Sequence, residues 1–223
     1  MSYYTRHLSG ERLQKVYALA PPRVRQYLMA EIAFVAGWLE SHHEVLELGC
    51  GYGRVMMKLA AKVHRIIGVD TAPASLELGR QLAGLNSRLD FLEMDALGLS
   101  FQDGAFDAVV CIQNGICAFG VDREKLVLEA LRVTRRGGFA IFSSYAPGFW
   151  PHRLEWFEVQ ARDGLLGPID HEQTGDGVIV CKDGFRAGAM TAEEFRSLCA
   201  RLRLHHEITE VDGSSTFCVI IKA

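Results

Sequence analysis

Residues Val45–Val55 read VLELGCGYGRV. An apolar run stops at Gly49, glycine recurs at Gly51 and Gly53, and a helix-like spacing of apolar residues begins at once. Glycine adopts dihedrals denied to other residues and lets the main chain pass close to a neighbour. A buried strand that turns this abruptly into a helix suits a doubly wound sheet. In such sheets ligands sit at the carboxyl ends of the strands, where the winding direction reverses.

The pattern repeats downstream. Strand-like runs at 44–48, 65–70, 88–94, 106–112 and 139–144 alternate with helical periods at 53–63, 73–85 and 122–136. The last of these helices is expected to stop at Gly137-Gly138. Strands alternating with helices predict a parallel sheet covered on both faces. Upstream, residues 9–20 read as a short helix ended by Pro21-Pro22. Residues 23–40 place Val24, Tyr27, Leu28, Ile32, Val35, Trp38 and Leu39 at steps of three and four, a long amphipathic helix. Beyond Tyr145, Pro151 opens an aromatic-rich helix, and GVIVCKDGFRAG reads as a hairpin. Thr191 and Glu194 predict a capping box for a helix carrying Phe195, Leu198 and Leu202. Two closing strands joined at Gly213-Ser214 must be antiparallel, because the connection is so short.

With 223 residues, 49% of them apolar, the chain suits one domain with one sizeable core. Its expected parts are an N-terminal helical segment (1–42), a ligand-binding core (43–146), a substrate-side insertion (147–190) and a closing unit (191–223). A formal net charge of −3 gives no basic field for nucleic acid or a membrane surface. Arg132, Arg135 and Arg136 are expected to offset the dipole at the end of the 122–136 helix. The six cysteines form no CxxC pair and no zinc spacing, so no metal is expected. The N-terminal residues lack the apolar core of a signal peptide, and no stretch approaches the roughly 20 apolar residues of a membrane span. A cytoplasmic protein, monomer or homodimer, with neither a nucleic-acid nor a membrane partner, is the expectation.

The glycine turn reads as a nucleotide-type pocket, with free N–H groups at the following helix to meet an anion. A dinucleotide fold wants a glycine where Arg54 stands, and a P-loop would need Lys-Ser/Thr, so NAD and ATP are disfavoured. Asp70 closes the second strand, where a carboxylate can accept from both hydroxyls of a ribose. Asp95 ends the third, where it could receive an adenine amine with help from the Ala96 N–H.

With these residues in view, the chain resembles class I S-adenosylmethionine-dependent methyltransferases. The resemblance runs from about residue 44 to 146. It rests on Glu47-Leu-Gly-Cys-Gly-Tyr-Gly53, on GVDTAP around Asp70, on FLEMDALGLSF around Asp95, on FQDGAFDAVVCIQNG and on EALRVTRRGGFAIFSSY. It implies an α/β, Rossmann-like seven-stranded mixed sheet of order 3-2-1-4-5-7-6 with the last strand antiparallel. Helices would cover both faces, with an N-terminal helical lid and a small hairpin insertion after strand 5. It further implies S-adenosylmethionine as cofactor and S-adenosylhomocysteine as product. Gly49, Cys50, Gly51 and Gly53 would line the methionine part, with Glu47 near its ammonium. Asp70 and Thr71 would take the ribose, Asp95 and Ala96 the adenine, and Gln113 and Asn114 the sulfonium edge.

Methyl transfer from a sulfonium releases a neutral thioether, so no acid need assist it and positioning can dominate. A base matters only for an acceptor that arrives protonated. The catalytic candidates are His152, whose imidazole titrates near neutrality, Tyr4 in the presumptive lid beside Tyr3, and Asn114. Tyr145, Trp150, Arg153 and Trp156 are the candidate substrate walls, and Lys182 and Arg186 could meet an anionic acceptor. The place of the Asn/Asp-Pro-Pro-Tyr motif of base-methylating relatives reads Gln113-Asn-Gly-Ile116, which favours a small-molecule acceptor. The alternatives are a cofactor-binding protein of this fold without transfer activity, and a methyltransferase acting on a macromolecule.

Overall fold

The structure, a computed structural model, describes residues 3–223. Two short helices, α1 (Tyr3–His7) and α2 (Glu11–Ala18), precede α3 (Pro22–Trp38). Then come β1 (Glu44–Leu48), α4 (Arg54–Leu59), β2 (Arg65–Asp70), α5 (Pro73–Ala83), β3 (Leu89–Glu93) and β4 (Phe106–Cys111). A single turn, α6 (Gly115–Ala118), leads to α7 (Arg123–Val133) and β5 (Thr134–Tyr145). Helix α8 (Trp150–Arg162) opens the insertion, which holds β6 (Ile179–Val180) and β7 (Arg186–Ala187). Helix α9 (Ala192–Arg201) and strands β8 (His206–Val211) and β9 (Ser215–Ile221) close the chain.

The seven-stranded sheet has the order β3-β2-β1-β4-β5-β9-β8, with β6 and β7 pairing separately. The inner strands are parallel, and β9 runs antiparallel to both β5 and β8. This is the expected mixed sheet, with β8 and β9 as its sixth and seventh strands. Alternate residues of β1 serve opposite faces, as a pleat requires. Leu46 and Leu48 join Leu126, Ala130, Phe195 and Leu198 on one side. Val45 joins Ile32, Val35, Met56, Leu59 and Leu76 on the other. A third apolar cluster ties Leu8, Val16, Val24 and Tyr27 of the N-terminal segment to Tyr145, Phe149, Trp156 and Phe185.

Local signals act as their chemistry dictates. Asp122 caps α7 through Glu124 N and Lys125 N, and Thr191 with Glu194 forms the capping box of α9. Asp212 (φ 57°) and Gly213 (φ 58°) make the tight β8–β9 turn. Two expectations need correction. Gly137-Gly138 does not end α7, which stops at Val133. The pair lies inside β5, where the Gly137 N–H reaches the Lys222 carbonyl and a Cβ on Gly138 would stand 2.5 Å from the Asp107 carbonyl oxygen. Arg132 does more than offset a dipole, for it pairs with Glu129 and Asp103 and donates to the carbonyls of Leu99 and Phe101. Arg135 pairs with Asp107, which also accepts from the Glu44 N–H at the foot of β1.

Candidate functional site

A cavity of about 520 Å³ opens at the carboxyl ends of β1, β2 and β4. Its floor is the glycine turn. The Gly49 and Cys50 N–H groups both donate to the Val69 carbonyl, at 2.8 and 3.0 Å. Asp70 then clasps the turn, accepting from Gly51 N at 2.8 Å on one oxygen and from Ala72 N at 2.9 Å on the other. Gly49 (φ 71°) and Gly51 (φ 54°) occupy the left-handed region, and a Cβ on Gly51 would stand 2.8 Å from a Leu13 methyl of α2. Burial raises the Asp70 carboxyl above its ordinary value, against the opposing N–H groups of Gly51, Ala72 and Thr71. Thr71, Asp95 and Ala96 continue the rim, and the Asp95 Oδ1 accepts from Leu97 N.

Glu47, only 5% exposed, lines the same floor. Burial pushes its carboxyl up to about 8, with Arg54 pulling the other way. Its Oε2 has no hydrogen-bond partner among the described residues, nor have Nε and Nη2 of Arg54. A buried acid and a buried guanidinium thus face the cavity with unused polar atoms, which is costly unless a ligand meets them. The Cys50 thiol is pushed well up by burial and packs at the wall, with no nucleophilic character.

Past β4 the backbone takes two consecutive left-handed residues, Gln113 (φ 56°) and Asn114 (φ 65°). Gln113 lines the cavity with its Nε2 unpaired. Its backbone N–H is shared between Glu31 Oε2 at 2.7 Å and Ser143 Oγ at 2.8 Å.

The opposite half of the cavity is aromatic. Tyr4 of α1, Tyr17 of α2, Tyr27 of α3, Tyr145 at the end of β5, and Trp156 and Phe157 of α8 all line it. Burial raises all four tyrosine hydroxyls, which keeps them neutral donors and acceptors. The buried Tyr27 hydroxyl lies beside that of Tyr145. The Arg54 guanidinium lies 4.5 Å from the Tyr17 ring centre, and Trp156 Nε1 donates to the Val16 carbonyl at 3.1 Å. Helices α1 and α2 are fastened on both sides. Tyr3 donates to Asp183, Thr5 and Thr71 hydroxyls lie 3.1 Å apart, Gly10 N donates to Ser75, and Lys15 pairs with Asp163.

The structure therefore gathers Glu47, Gly49, Cys50, Gly51, Asp70, Thr71, Asp95, Ala96, Gln113, Tyr4, Tyr145 and Trp156 around one cavity. It moves seven other candidates off it. His152 is half-exposed on α8, 4.0 Å from Glu155, and lies outside the lining because it follows Pro151 on the outer side of the first turn. Asn114 turns away, accepting from Ser144 Oγ and donating to the Gly188 carbonyl. Gly53 is a packing residue, for a Cβ there would meet the Phe91 ring at 2.5 Å. Trp150 is not in the lining either. Arg153 is 1% exposed and is spent on the carbonyls of Gly177, Ala187 and Gly188, behind the Tyr145 ring it covers at 4.5 Å. Lys182 and Arg186 also lie outside this cavity.

Sequence reasoning missed Tyr17, Tyr27, Glu31 and Arg54. Tyr27 was legible only as an apolar position of a helix, and the one available signal for Glu31 was a charged residue next to Ile32 on that helix's buried stripe. Glu40, His42 and His43 also come together, with donor atoms within 4.8 Å, on the turn before β1 at the end of the strand remote from the cavity. No helix among the described residues is long and apolar enough to cross a membrane.

Comparison with known proteins bears on this geometry. Residues 45–138 match the family model described as a methyltransferase domain. The chain is similar to a demethylmenaquinone methyltransferase of Thermus thermophilus, 41% identical over 46% of this chain and 47% of that protein. It is also similar to an ajmaline N-methyltransferase of Rauvolfia serpentina, 33% identical over 45% of this chain and 35% of that one. The matched region thus spans less than half the length of either relative. In fold it resembles the solved structure of a SAM-dependent methyltransferase from Methanosarcina mazei. That likeness has a TM-score of 0.63 at 21% identity and covers 85% of this chain and 96% of that one.

Proposed function

We propose that this chain, whose residues 45–138 match a methyltransferase domain, is a class I S-adenosylmethionine-dependent methyltransferase that moves a methyl group from that cofactor to a small-molecule acceptor. The observation that carries the reading is the Gly49–Gly51 turn clasped by Asp70 below an aromatic chamber. The residues present fit the cofactor. Glu47 Oε2, Nε and Nη2 of Arg54 and Gln113 Nε2 are buried, without a partner among the described residues, and complementary to an ammonium, a carboxylate and a polar edge. Gly51 leaves the space that a Cβ would take. Glu47 and Arg54 would hold the amino-acid end, Asp70 and Thr71 the ribose, and Asp95 and Ala96 the adenine.

When bound, S-adenosylmethionine supplies an electrophilic methyl on a sulfonium that departs as a neutral thioether. The protein's own work is then to orient and to exclude water. Tyr4, Tyr17, Tyr145, Trp156 and Phe157 offer ring faces to an apolar acceptor body, and the adjacent Tyr27 and Tyr145 hydroxyls would meet its polar atom. Holding the reactants in line is worth about 7–11 kcal/mol in favourable intramolecular cases, so the absence of His152 from the chamber removes no necessary part. The names of the two relatives, which concern demethylmenaquinone and ajmaline, support a small-molecule acceptor. The net charge of −3 supports the same class over nucleic acid or an anionic membrane; a cytoplasmic monomer or homodimer is part of the same proposal.

The test is incubation with methyl-labelled S-adenosylmethionine and a fractionated metabolite extract. Label is expected in a low-molecular-weight product. Cofactor binding without any labelled product would leave the binding role, label confined to macromolecules would move the acceptor class, and a folded protein that ignores the cofactor would end the reading.

A further inference from the structure

We propose that Glu31, on helix α3 and outside the matched domain, is a positioning residue of the cofactor site: it holds Gln113 in its left-handed conformation at the sulfonium edge. The inference rests on the cofactor reading above, and its consequence is that the N-terminal segment is part of the cofactor site as well as of its roof.

The geometry points there from three sides. First, Gln113 and Asn114 are consecutive non-glycine residues with φ of 56° and 65°. Such a pair is costly and persists only when its surroundings over-determine it. Second, the restraints are visible. The Gln113 N–H is shared by Glu31 Oε2 and Ser143 Oγ, while the Asn114 side chain is fixed by Ser144 Oγ and the Gly188 carbonyl. Asn114, expected to touch the cofactor, instead anchors the loop, and Gln113 is left facing the cavity. Third, Glu31 is wholly buried, where a carboxylate is expensive unless its oxygens are used. Its Oε2 accepts from Gln113 N at 2.7 Å, and the hydroxyls of Ser143 and Ser215 also support the carboxyl.

Helix α3 reaches this point because Ile32 and Val35 seat it on the sheet beside α4. Glu31, next to Ile32, is thereby set against the β4 and β5 strand ends. The same helix presents Tyr27, one turn earlier, to the acceptor chamber. One rigid element therefore places both the strained cofactor-side loop and a chamber wall.

The experiment titrates S-adenosylhomocysteine into wild type, Glu31→Met, Glu31→Gln and Ser143→Ala, and records hydrogen exchange at the Gln113 amide in each without ligand. Glu31→Met keeps the volume but offers no oxygen, and should bind about tenfold more weakly with a faster-exchanging Gln113 amide. Glu31→Gln still offers a carbonyl oxygen and should remain within about threefold of wild type. Ser143→Ala should fall between the two. Wild-type affinity and exchange in a folded Glu31→Met protein would overturn the proposal, and so would a Glu31→Gln protein as impaired as Glu31→Met. Should Glu31→Met not fold, an unchanged Ser143→Ala overturns it alone. If wild type itself fails to bind the probe, the cofactor reading fails, while the exchange rates still report whether Glu31 holds Gln113.

Discussion

Cofactor binding should expel a proton, and the source is Glu47. In the unliganded protein burial pushes this carboxyl up to about 8, even with Arg54 nearby. At pH 7 a group of that pKa is protonated in about nine molecules of ten. An ammonium set against its free Oε2 favours the ionised form, so binding drives off about 0.9 proton. The ligand's own α-amino group, with a pKa of about 7.7–8.0, takes back roughly 0.15 at pH 7. The net release is therefore about 0.75 proton per site at pH 7. The same ionisation costs about 1.4 kcal/mol at pH 7, one pKa unit's worth, and apparent affinity should fall nearly tenfold for each unit below pH 7. Calorimetry of S-adenosylhomocysteine binding in buffers of different ionisation enthalpy reads the proton count directly. Glu47→Gln should bind more weakly, release no proton and lose the pH dependence. A wild-type binding enthalpy that does not vary with buffer would falsify the placement of the ammonium at Glu47, as would undiminished release from Glu47→Gln.

Glu31 and Glu47 have folded-state values raised from 4.5 to about 7 and about 8. Their contribution to stability is thus fully present below about pH 4.5 and is lost as pH rises through 7 and 8. Thermal melts of unliganded protein between pH 5 and 8.5 should show that decline flattened in the Glu31→Gln, Glu47→Gln double variant, and a wild-type slope in that variant would count against both assignments. Asp70→Ala removes the acceptor of Gly51 N and Ala72 N as well as the expected ribose contact, and should cost about 1.5–3 kcal/mol of S-adenosylhomocysteine binding; unchanged calorimetric affinity would move the pocket elsewhere. Gly51→Val combines a positive φ with a Cβ close to Leu13, so binding should be lost while circular dichroism shows the fold kept. Retained affinity in the folded variant would defeat that expectation. Arg153→Met leaves the carbonyls of Gly177, Ala187 and Gly188 short of a donor and should lower stability by at least about 2 kcal/mol, seen as a drop in the denaturation midpoint.

The sheet was legible because its signals are local and repeated. β1 and β2 are apolar runs ending at Gly49 and Asp70, β4 and β5 carry the apolar stretches 108–112 and 139–142, and the short connection read at Gly213-Ser214 falls within one residue of the Asp212-Gly213 turn. The cofactor-side floor was legible for the same reason, since Glu47, Gly49, Gly51 and Asp70 lie within one β-α-β unit. The chamber was legible only in Tyr4, Tyr145 and Trp156. Tyr27 and Glu31 sit at helical spacing on α3, which reads as core whether or not a cavity lies beneath. Arg153 is the sharper lesson, because a charged residue on an aromatic helix suggests a ligand contact, yet three backbone carbonyls from the insertion occupy it. His152, its neighbour, faces the other way because adjacent residues on a helix point about 100° apart. Gly53 misled through its motif position: it was expected to line the ligand, whereas it lets α4 approach Phe91.

That division between floor and chamber bears on what similarity can carry. The family match covers residues 45–138 and therefore the floor. Tyr4, Tyr17 and Tyr27 come before it, and Tyr145, Trp156 and Phe157 after it, so most of the aromatic lining lies outside, with Tyr52 and Phe119 inside. A likeness that covers the floor and few of the walls transmits the cofactor and says little about the acceptor, whose discrimination depends on wall contacts each worth about 1–3 kcal/mol per methylene-sized difference. The walls are also assembled from distant stretches that hold one another. Trp156 is oriented by the Val16 carbonyl, Tyr145 is backed by Arg153, and Arg153 is fixed by the insertion. Exchanging α1–α3 alone with those of a relative should therefore disturb Trp156 as well, and acceptor preference should transfer only when α8 and the 163–188 insertion move with them. A three-part chimera that adopts the donor's acceptor, beside an α1–α3 chimera that does not, is the expected outcome. If α1–α3 alone carried the preference across, the walls would be independent and the coupling through Trp156 and Arg153 would have no part in selecting the acceptor.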